Sequence, residues 1–532
     1  MPKTIIRNGQ IMDGSGAPWY RADVLVEDGR IEAVGCLAEV SADTEIDAKG
    51  LVVSPGFIDS HSHSDMSCFF YPGADGKILQ GVTTEITGMC GESPVPLAGF
   101  RQTFNKIAYK GDAEALKAAG SWSTLAQWAR FMNDRGLSTD MALAAGHGTL
   151  RANVMGYRDR EPMAKELEEM KALLREAMRQ GAVGLSSGLI YPPGCFSGTD
   201  ELIELCKVIT EYGGVYLTHM RNESDEVIPA LEEAIVIGRE SGCKVHIAHL
   251  KASGKRNHGK VGLMLEMMEK ARDEGIDITC DAYPYTAGSS SIITLLPMWA
   301  HDGGLGELLS RLKDCAVRQR ISEELLMDVP GWENMSKNAG MEGILICDVK
   351  KNKQFEGKNL QEIGDILGKD PAEALLDLIL DEEGEGSMAC FAAKEEDNIY
   401  IYKHRLTLVG SDSCSLPTVP DGIIGKPHPR SYGTFPRVLG HYARERKLFP
   451  LEAAVWKMTG LPATRYGLRD RGFLSAGKRA DIVIFDPGLI ADNATYQEPC
   501  QAPSGIHTVI MKGEAVVEGG RYNGKRLGKI IA

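Results

Sequence analysis

The sequence has no long hydrophobic run and no excess of basic residues. None of its segments reaches the roughly 18 consecutive apolar residues that a membrane-spanning helix requires. The first twenty residues contain no apolar segment of the length found in signal peptides. We therefore expect a cytoplasmic protein that has no membrane partner.

The charge balance is acidic. The chain has 59 Lys and Arg residues against 73 Asp and Glu residues, which gives a net charge of −14. A nucleic-acid partner would require a basic face, so we expect no nucleic-acid binding. A small acidic ligand is compatible with this composition, because a few local Lys or Arg residues can bind it.

The twelve cysteines include no Cys-x-x-Cys pair. In a cytoplasmic chain, scattered cysteines are mostly small buried hydrophobic residues and form no disulfides. Cys90 is an exception, because it lies just after a predicted strand.

The middle of the chain alternates short apolar strands with amphipathic helices. This pattern predicts an α/β fold with a parallel sheet, and eight such strands predict a (β/α)8 TIM barrel. The predicted strands are 57–60, 82–87, 141–145, 182–186, 215–218, 245–248, 278–281 and 406–410. Helical patterns between them include 164–180, 200–212, 225–241 and 261–274.

The two ends of the chain contain short strands separated by turns. Asn8-Gly9 and Asp28-Gly29 are typical of β-hairpins. We predict a small β-sandwich domain formed from residues 1–56 and 471–532, with the barrel at residues 57–470. An insertion before the eighth strand, lid-like at about residues 286–350, contains a helical pattern at 305–326, a strand at 343–347 and a helix at 371–381.

Six side chains suited to metal binding follow the predicted barrel strands. His61 and His63 follow the first strand with a spacing of two, so that both project to one face. Active sites of such barrels lie at the C-terminal ends of the strands, where these residues would converge. They are His61, His63, Cys90, His219, His249 and Asp412. The pattern predicts a transition-metal site at the barrel mouth.

Several motifs resemble those of the amidohydrolase superfamily and, more narrowly, those of the N-acyl-D-amino-acid deacylases (D-aminoacylases). They cover nearly the whole chain in order. The motifs are PGFIDSHSH at 55–63, GVTTE at 81–85, GMCG at 88–91, GLSSGLIYPPG at 184–194, THMRNE at 218–223, HLK at 249–251, DAYPYTAG at 281–288, GSD at 410–412 and HPR at 428–430.

The resemblance implies a zinc enzyme that acts on a small N-acyl-D-amino acid. It implies one tightly bound Zn²⁺ at Cys90, His219 and His249. A second, weaker site would be formed by His61 and His63 with Cys90 and Asp412. The substrate-binding residues that it implies are Lys251, Tyr283, Arg430, Tyr191 and either Ser289 or Ser290.

The implied reaction is hydrolysis of the N-acyl amide bond. Asp412 would accept a proton from the attacking water and return it to the departing amine. One alternative is a cyclic amidase of the hydantoinase or dihydroorotase type. Many two-metal amidohydrolases have a carboxylated lysine after the fourth strand, whereas this chain has Gly188 there. The other alternative is a non-catalytic scaffold, which predicts missing metal ligands.

Overall fold

The computed structural model describes residues 3–96, 98–99, 101, 122–419 and 425–531. The strands, in chain order, are β1 (Thr4–Ile11), β2 (Tyr20–Glu27), β3 (Arg30–Gly35), β4 (Thr44–Asp47), β5 (Val52–Pro55), β6 (Phe57–Asp59), β7 (Val82–Thr87), β8 (Asp140–Leu143), β9 (Ala145–Gly146), β10 (Gly184–Gly188), β11 (Val215–His219), β12 (Lys244–Ile247), β13 (Ile278–Ala282), β14 (Gly288–Ser291), β15 (Ile344–Asp348), β16 (Ser387–Cys390), β17 (Thr407–Val409), β18 (Ile482–Phe485), β19 (Ile506–Met511), β20 (Glu514–Glu518), β21 (Arg521–Tyr522) and β22 (Ile530–Ile531).

The helices occupy the connections between these strands. The α-helices are α1 (Ser64–Ser67), α2 (Leu125–Arg135), α3 (His147–Met155), α4 (Ala164–Arg179), α5 (Thr199–Thr210), α6 (Val227–Ser241), α7 (Val261–Asp273), α8 (Leu305–Arg311), α9 (Cys315–Glu324), α10 (Met335–Ala339), α11 (Leu360–Leu367), α12 (Pro371–Asp381), α13 (Glu395–Lys403), α14 (Arg430–Arg437), α15 (Leu451–Lys457) and α16 (Gly460–Arg465). A π-helical segment, Val438–Glu445, continues α14. No helix among these described residues is long and apolar enough to cross a lipid bilayer.

Eight parallel strands form the barrel that the sequence predicts. β17, β13, β12, β11, β10 and β9 are hydrogen-bonded in that order, and β6, β7 and β8 form a second parallel run. Only Ala144 separates β8 from β9, so these two segments act as one strand that joins the runs. The ring closes where the Ser60 amide donates to the Val409 carbonyl at 3.1 Å. The α/β class and the barrel are confirmed.

Amphipathic helices cover the outside of this barrel. In α4 the buried residues Met170, Leu174 and Met178 recur every four positions, which places them on one face of the helix. They belong to the same core as residues of the barrel strands, such as Leu185. Packing of this face fixes the helix against the sheet, so the strand ends are held in register.

Strands from both ends of the chain form one sheet. Its order is β21-β20-β19-β18-β5-β1-β2-β3, with β4 paired to β1. Antiparallel pairing of β18 with β5 joins the two ends of the chain. Val24 from the N-terminal part and Ile482 from the C-terminal part lie in one shared core. The small β domain built from both ends is confirmed, whereas the boundaries placed at residues 56 and 471 stay predictions.

One of the two predicted hairpins is wrong. Asp28 and Gly29 do connect β2 to β3. Their φ angles of 47° and 75° are left-handed, as this type of two-residue hairpin turn requires. Asn8 and Gly9 instead lie inside β1, where the pairing with β2 shifts register. A Cβ atom on Gly9 would lie 2.6 Å from Val53 Cγ2, so this glycine permits a β-bulge packed closely against β5.

The segment between β13 and β17 forms a unit with its own core. β14, β16 and β15 make an antiparallel sheet, and residues such as Ile346 and Leu375 form a separate hydrophobic cluster. The predicted helix at 305–326 is two helices, α8 and α9. The chain breaks there because the Asp314 carboxylate caps α9 by accepting from the amides of Ala316 and Val317. The predicted strand and the helix at 371–381 are present as β15 and α12.

A buried carboxylate links the barrel to the small β domain. Asp140 begins β8, and its Oδ2 lies 2.5 Å from Arg479 Nη1 and 3.0 Å from Arg471 Nη1. Its Oδ1 lies 3.3 Å from Lys512 Nζ. The three cations come from the C-terminal part of the chain, so Asp140 neutralises charges at the junction of the two domains.

We expect Asp140→Asn to lower the free energy of unfolding by about 3–5 kcal/mol, because it leaves buried guanidinium groups without their shared carboxylate. The control is Asp470→Asn, which removes a half-exposed partner of Arg471 and should cost less than about 1 kcal/mol. Urea unfolding followed by circular dichroism measures both values. Equal effects of the two substitutions would contradict the role given to Asp140.

Candidate functional site

Four of the predicted site residues meet at the C-terminal ends of the barrel strands. His61, Cys90, His249 and Asp412 are buried, and each offers one ligand atom within 4.8 Å of the others. The Cys90 Sγ lies 3.4 Å from His61 Nε2 and 3.5 Å from His249 Nε2. The His61 Nε2 also lies 3.2 Å from Asp412 Oδ1. These side chains therefore converge on one small volume.

Three of these residues have backbone conformations that are rare outside glycine. The φ angle is 54° at Cys90, 36° at His249 and 51° at Asp412. Such conformations cost free energy and persist where neighbouring contacts hold them. The Asp412 amide donates to the His61 carbonyl at 2.8 Å, and the His249 amide donates to the Asp281 carboxylate at 3.0 Å. The chain turns just after each strand, and the turn directs the side chain into the barrel mouth.

A second group shares His249 with the first. His219, Glu223 and His249 also place one ligand atom each within 4.8 Å of one another. Glu223 Oε1 lies 2.9 Å from His249 Nδ1, and Glu223 Oε2 lies 3.6 Å from His219 Nε2. Both ring nitrogens of the buried His219 lack a hydrogen-bond partner among the described residues. Buried polar atoms are normally paired, so His219 has the character of an open ligand position.

His63 lies at the edge of the first group. Its Nε2 is 3.0 Å from Asp412 Oδ1, and its Nδ1 has no hydrogen-bond partner in the described part of the chain. The two histidines of the His-x-His pair are thus both beside the Asp412 carboxylate. The division of ligands between a tight and a weaker metal site stays a prediction.

The buried carboxylate of Asp281 orients one of the metal-competent histidines. Its Oδ2 lies 3.2 Å from His61 Nδ1 and 2.8 Å from His246 Nε2. A carboxylate that accepts from Nδ1 of His61 leaves Nε2 free to face Cys90 and strengthens it as a donor to a metal. Asp281 therefore fixes both the orientation and the tautomer of His61.

The histidines stabilise the thiolate form of Cys90. Burial opposes ionisation, but His61, His219 and His249 together hold the pKa of the Cys90 thiol well below its usual value. The thiolate is the form that binds metals. A donor set of thiolate sulfur, imidazole nitrogen and carboxylate oxygen suits zinc better than magnesium or calcium. The residues present, including the unpartnered His219, fit a zinc ion.

Asp412 is held in its ionised form by positive neighbours. Arg430 Nη1 donates to Asp412 Oδ2 at 2.7 Å. Although burial opposes it, the charges of Arg430 and His61 hold the pKa of Asp412 well below its usual range. The ionised carboxylate thus has one oxygen toward Arg430 and the other toward His61 and His63.

Lys251 and Arg430 both lie near the Tyr283 ring. The Arg430 guanidinium carbon lies 4.6 Å from the ring centroid, and Lys251 Nζ lies 5.8 Å from it. Lys251 also donates to Glu223 Oε2 at 2.7 Å. The structure therefore brings these three predicted substrate-binding residues together. Both cations are ion-paired with carboxylates of the metal-competent groups, a contact that the sequence did not indicate.

Two cavities meet at these groups. The smaller has a volume of about 50 Å³ and is lined by Lys251 and Tyr283 together with residues of the insertion. The larger has a volume of about 420 Å³ and is lined by His63 and Arg430 together with apolar residues such as Phe70 and Leu308. The residues that line both cavities are Tyr191, Ser289, Ser290 and Asp412.

The remaining predicted substrate residues therefore lie where the two cavities join. Ser290 Oγ donates to the Tyr191 hydroxyl at 3.4 Å, and the Arg430 Nη2 donates to the Ser289 carbonyl at 3.3 Å. The Tyr191 ring lies 5.0 Å from the His219 ring, centroid to centroid. A ligand that extends through both cavities would pass these side chains and Asp412.

Sequence reasoning missed three acidic residues of this region. Glu223 could have been found, because it lies in the loop after β11, four positions beyond His219. Asp281 is the acidic residue near the end of the seventh barrel strand, a position typical of functional residues. No sequence pattern indicates Glu333, because it reaches the cavity through the fold of the insertion. Burial and the neighbouring Glu223 carboxylate raise the pKa of Glu333 to about 7.

Known proteins resemble this chain along nearly its whole length. Residues 44–234 and 410–517 match the amidohydrolase family. A D-aminoacylase of Alcaligenes xylosoxydans xylosoxydans is 37% identical over 530 residues, which cover 99% of this chain and 97% of that protein.

Solved structures show the same similarity. A D-aminoacylase structure, determined to examine the role of a binuclear metal centre with one-metal activation and second-metal attenuation, is 35% identical. It has a TM-score of 0.82 and covers 99% of both chains. An N-acyl-D-glutamate deacylase from Bordetella bronchiseptica was solved with zinc and a phosphonate mimic of the tetrahedral intermediate. It is 32% identical, with a TM-score of 0.81, and covers 99% of this chain and 98% of that one.

We expect Cys90→Ala to weaken zinc retention by at least about tenfold, since it removes the only sulfur donor of the first group. Metal analysis after growth in zinc and dialysis measures the retained ion. Cys414→Ala is the matched control: its Sγ contacts the His63 carbonyl at 3.3 Å but lies outside both groups, so zinc should be kept. Equal zinc content in the two variants would contradict the assignment of Cys90.

Proposed function

Because the chain belongs to the amidohydrolase family and, within it, to the N-acyl-D-amino-acid deacylases, we propose that it hydrolyses the amide bond of N-acyl-D-amino acids with the help of bound zinc. The products are a carboxylate and a free D-amino acid. The observation that carries the proposal is the buried group of Cys90, His249 and Asp412 beside Lys251 and Arg430, which combines metal donors, a proton acceptor and cations for a carboxylate.

Cys90, His219 and His249 would hold one zinc ion tightly. Their thiolate and imidazole donors fit that ion, and His219 has two ring nitrogens without other partners among the described residues. The bound ion would polarise the acyl carbonyl and lower the pKa of a water molecule toward about 7. His61 and His63, which both lie beside Asp412, would contribute to a second and weaker site.

Asp412 moves the proton in this proposal. Its Oδ1 faces His61 and His63 and accepts the proton of the water that attacks the acyl carbon. When the carbon–nitrogen bond breaks, Asp412 returns this proton to the amine nitrogen, which is a poor leaving group until it is protonated. The ion pair with Arg430, at 2.7 Å, fixes the carboxylate in the orientation that both transfers need.

The carboxylate of the substrate would bind beside Tyr283. Lys251 and Arg430 both lie near this ring, and an arginine can pair with a carboxylate through two parallel hydrogen bonds. Tyr191 with Ser289 or Ser290 would complete the contacts where the cavities join. Binding of the carboxylate and of the scissile carbonyl fixes two substituents of the α-carbon, so the cavity wall can distinguish the D from the L form.

A cyclic amidase is disfavoured by the end of β10. That strand finishes at Gly188, so no lysine is available there to bridge two metals. Lys251, which lines the smaller cavity, is instead paired with Glu223. A non-catalytic scaffold is disfavoured because the donor residues are present and buried together.

Asp412→Asn should lower kcat by about 100- to 10,000-fold while zinc content stays nearly unchanged, because the amide cannot accept the proton of the attacking water. Turnover of an N-acetyl-D-amino acid and metal analysis of the same sample give the two values. Asp492→Asn, which removes an aspartate paired with Arg437 at 3.1 Å, serves as the control and should retain activity. Near-normal turnover by Asp412→Asn would exclude Asp412 as the proton carrier.

The substrate class is tested with N-acetyl-D-methionine, N-acetyl-L-methionine and a cyclic ureide, followed by amine release. We expect the D form to react at least about 100-fold faster than the L form, because only the D form places carboxylate and carbonyl at their sites together. The ureide ring should stay closed. Ring opening without release of D-methionine would favour the cyclic amidase.

A further inference from the structure

The smaller cavity includes a carboxylate that the insertion supplies. Glu333 lies just before α10, in the segment between β13 and β17. It is 5% exposed and lines the cavity that also contains Lys251 and Tyr283. Its Oε2 accepts from the Glu223 amide at 2.6 Å, which fixes its position relative to the second metal-competent group.

Glu333 differs from the other two carboxylates of this cavity. Glu223 is paired with Lys251 and Asp412 with Arg430, each at 2.7 Å. Among the described residues, Glu333 has no cationic partner within 4.0 Å. A buried carboxylate without a cation is costly, unless a proton or a cation of the ligand neutralises it. Among these three carboxylates, Glu333 is therefore the one that a cation of the ligand would neutralise.

The insertion gives this cavity an apolar patch in addition to the polar Ser289 and Ser290. Its apolar lining residues are Met335, Met388, Cys390, Ala392 and Ala393, and Asn338 is the polar side chain near Glu333 in sequence. Methionine side chains are flexible and adapt to a chain of methylene groups. An apolar wall together with one unpaired carboxylate suits an aliphatic side chain that ends in a cation.

We propose that Glu333 determines the side-chain preference of the enzyme and selects N-acyl-D-amino acids whose long aliphatic side chain ends in an amine or a guanidinium, as in lysine and arginine. The inference rests on the proposed function. The carboxylate of Glu333 pairs with the cationic end of the side chain, while the methionines contact its methylenes. Acidic side chains are rejected, because the carboxylate of Glu333 repels them.

The experiment compares wild type with Glu333→Gln on N-acetyl-D-lysine, N-acetyl-D-methionine and N-acetyl-D-glutamate. Glutamine keeps an oxygen that accepts from the Glu223 amide. The side chain therefore keeps this contact and its position, while the charge is lost. We expect kcat/KM for the lysine substrate to fall about 10- to 100-fold, the effect of losing a hydrogen bond to a charged group. The value for the methionine substrate should change less than about threefold, and the value for the glutamate substrate should rise.

The control is Glu342→Gln, which removes an exposed carboxylate from the same insertion and should leave all three values unchanged. A uniform loss on the three substrates in Glu333→Gln would show a structural role and overturn the inference. Faster hydrolysis of the glutamate than of the lysine substrate by wild type would overturn it without any variant. If wild type hydrolyses none of the three, the proposed function itself fails; if it hydrolyses all three equally, only the role of Glu333 fails.

Discussion

The burial of several ionisable side chains at one end of the barrel is the constraint on which the structure depends. Charged groups are expensive to remove from water, so each needs a partner that compensates the lost hydration. Asp281 pairs with His61, Arg430 with Asp412, and Lys251 with Glu223. The residues of the first and third pairs follow different strands, so the closed barrel is what brings them together, whereas Asp412 and Arg430 both follow β17. Both ring nitrogens of His219 lack a hydrogen-bond partner within the described part of the chain, and a metal ion would satisfy one of them.

Much of this arrangement could be predicted from sequence, because parallel strands leave a simple signal. Short apolar runs at regular intervals gave the barrel, and the polar residue after each run gave His61, Cys90, His249 and Asp412. The rest depended on how the loops fold. Glu333 enters the cavity from an insertion whose own core sets its path, and no local pattern in the sequence indicates this position.

Sequence patterns also failed at two places, one decided by a tertiary contact and one by a local cap. The Asn8-Gly9 pair has the composition of a hairpin, yet it forms a bulge because Gly9 packs against Val53. The long helical pattern near residue 310 is divided by the cap that Asp314 provides. The metal-competent residues therefore lie at the ends of barrel strands, which the sequence pattern predicts. The insertion supplies the wall that would decide which side chain enters.

X-ray absorption spectroscopy of the zinc-loaded protein tests whether Cys90 binds the ion, because it identifies the bound atoms. We predict one sulfur ligand at about 2.3 Å, with nitrogen or oxygen ligands at about 2.0–2.2 Å. Among the described residues, the sulfur donor of the metal-competent groups is Cys90. A zinc environment made only of nitrogen and oxygen would contradict the assignment of Cys90 as a ligand, since the ion would then lie away from its thiolate.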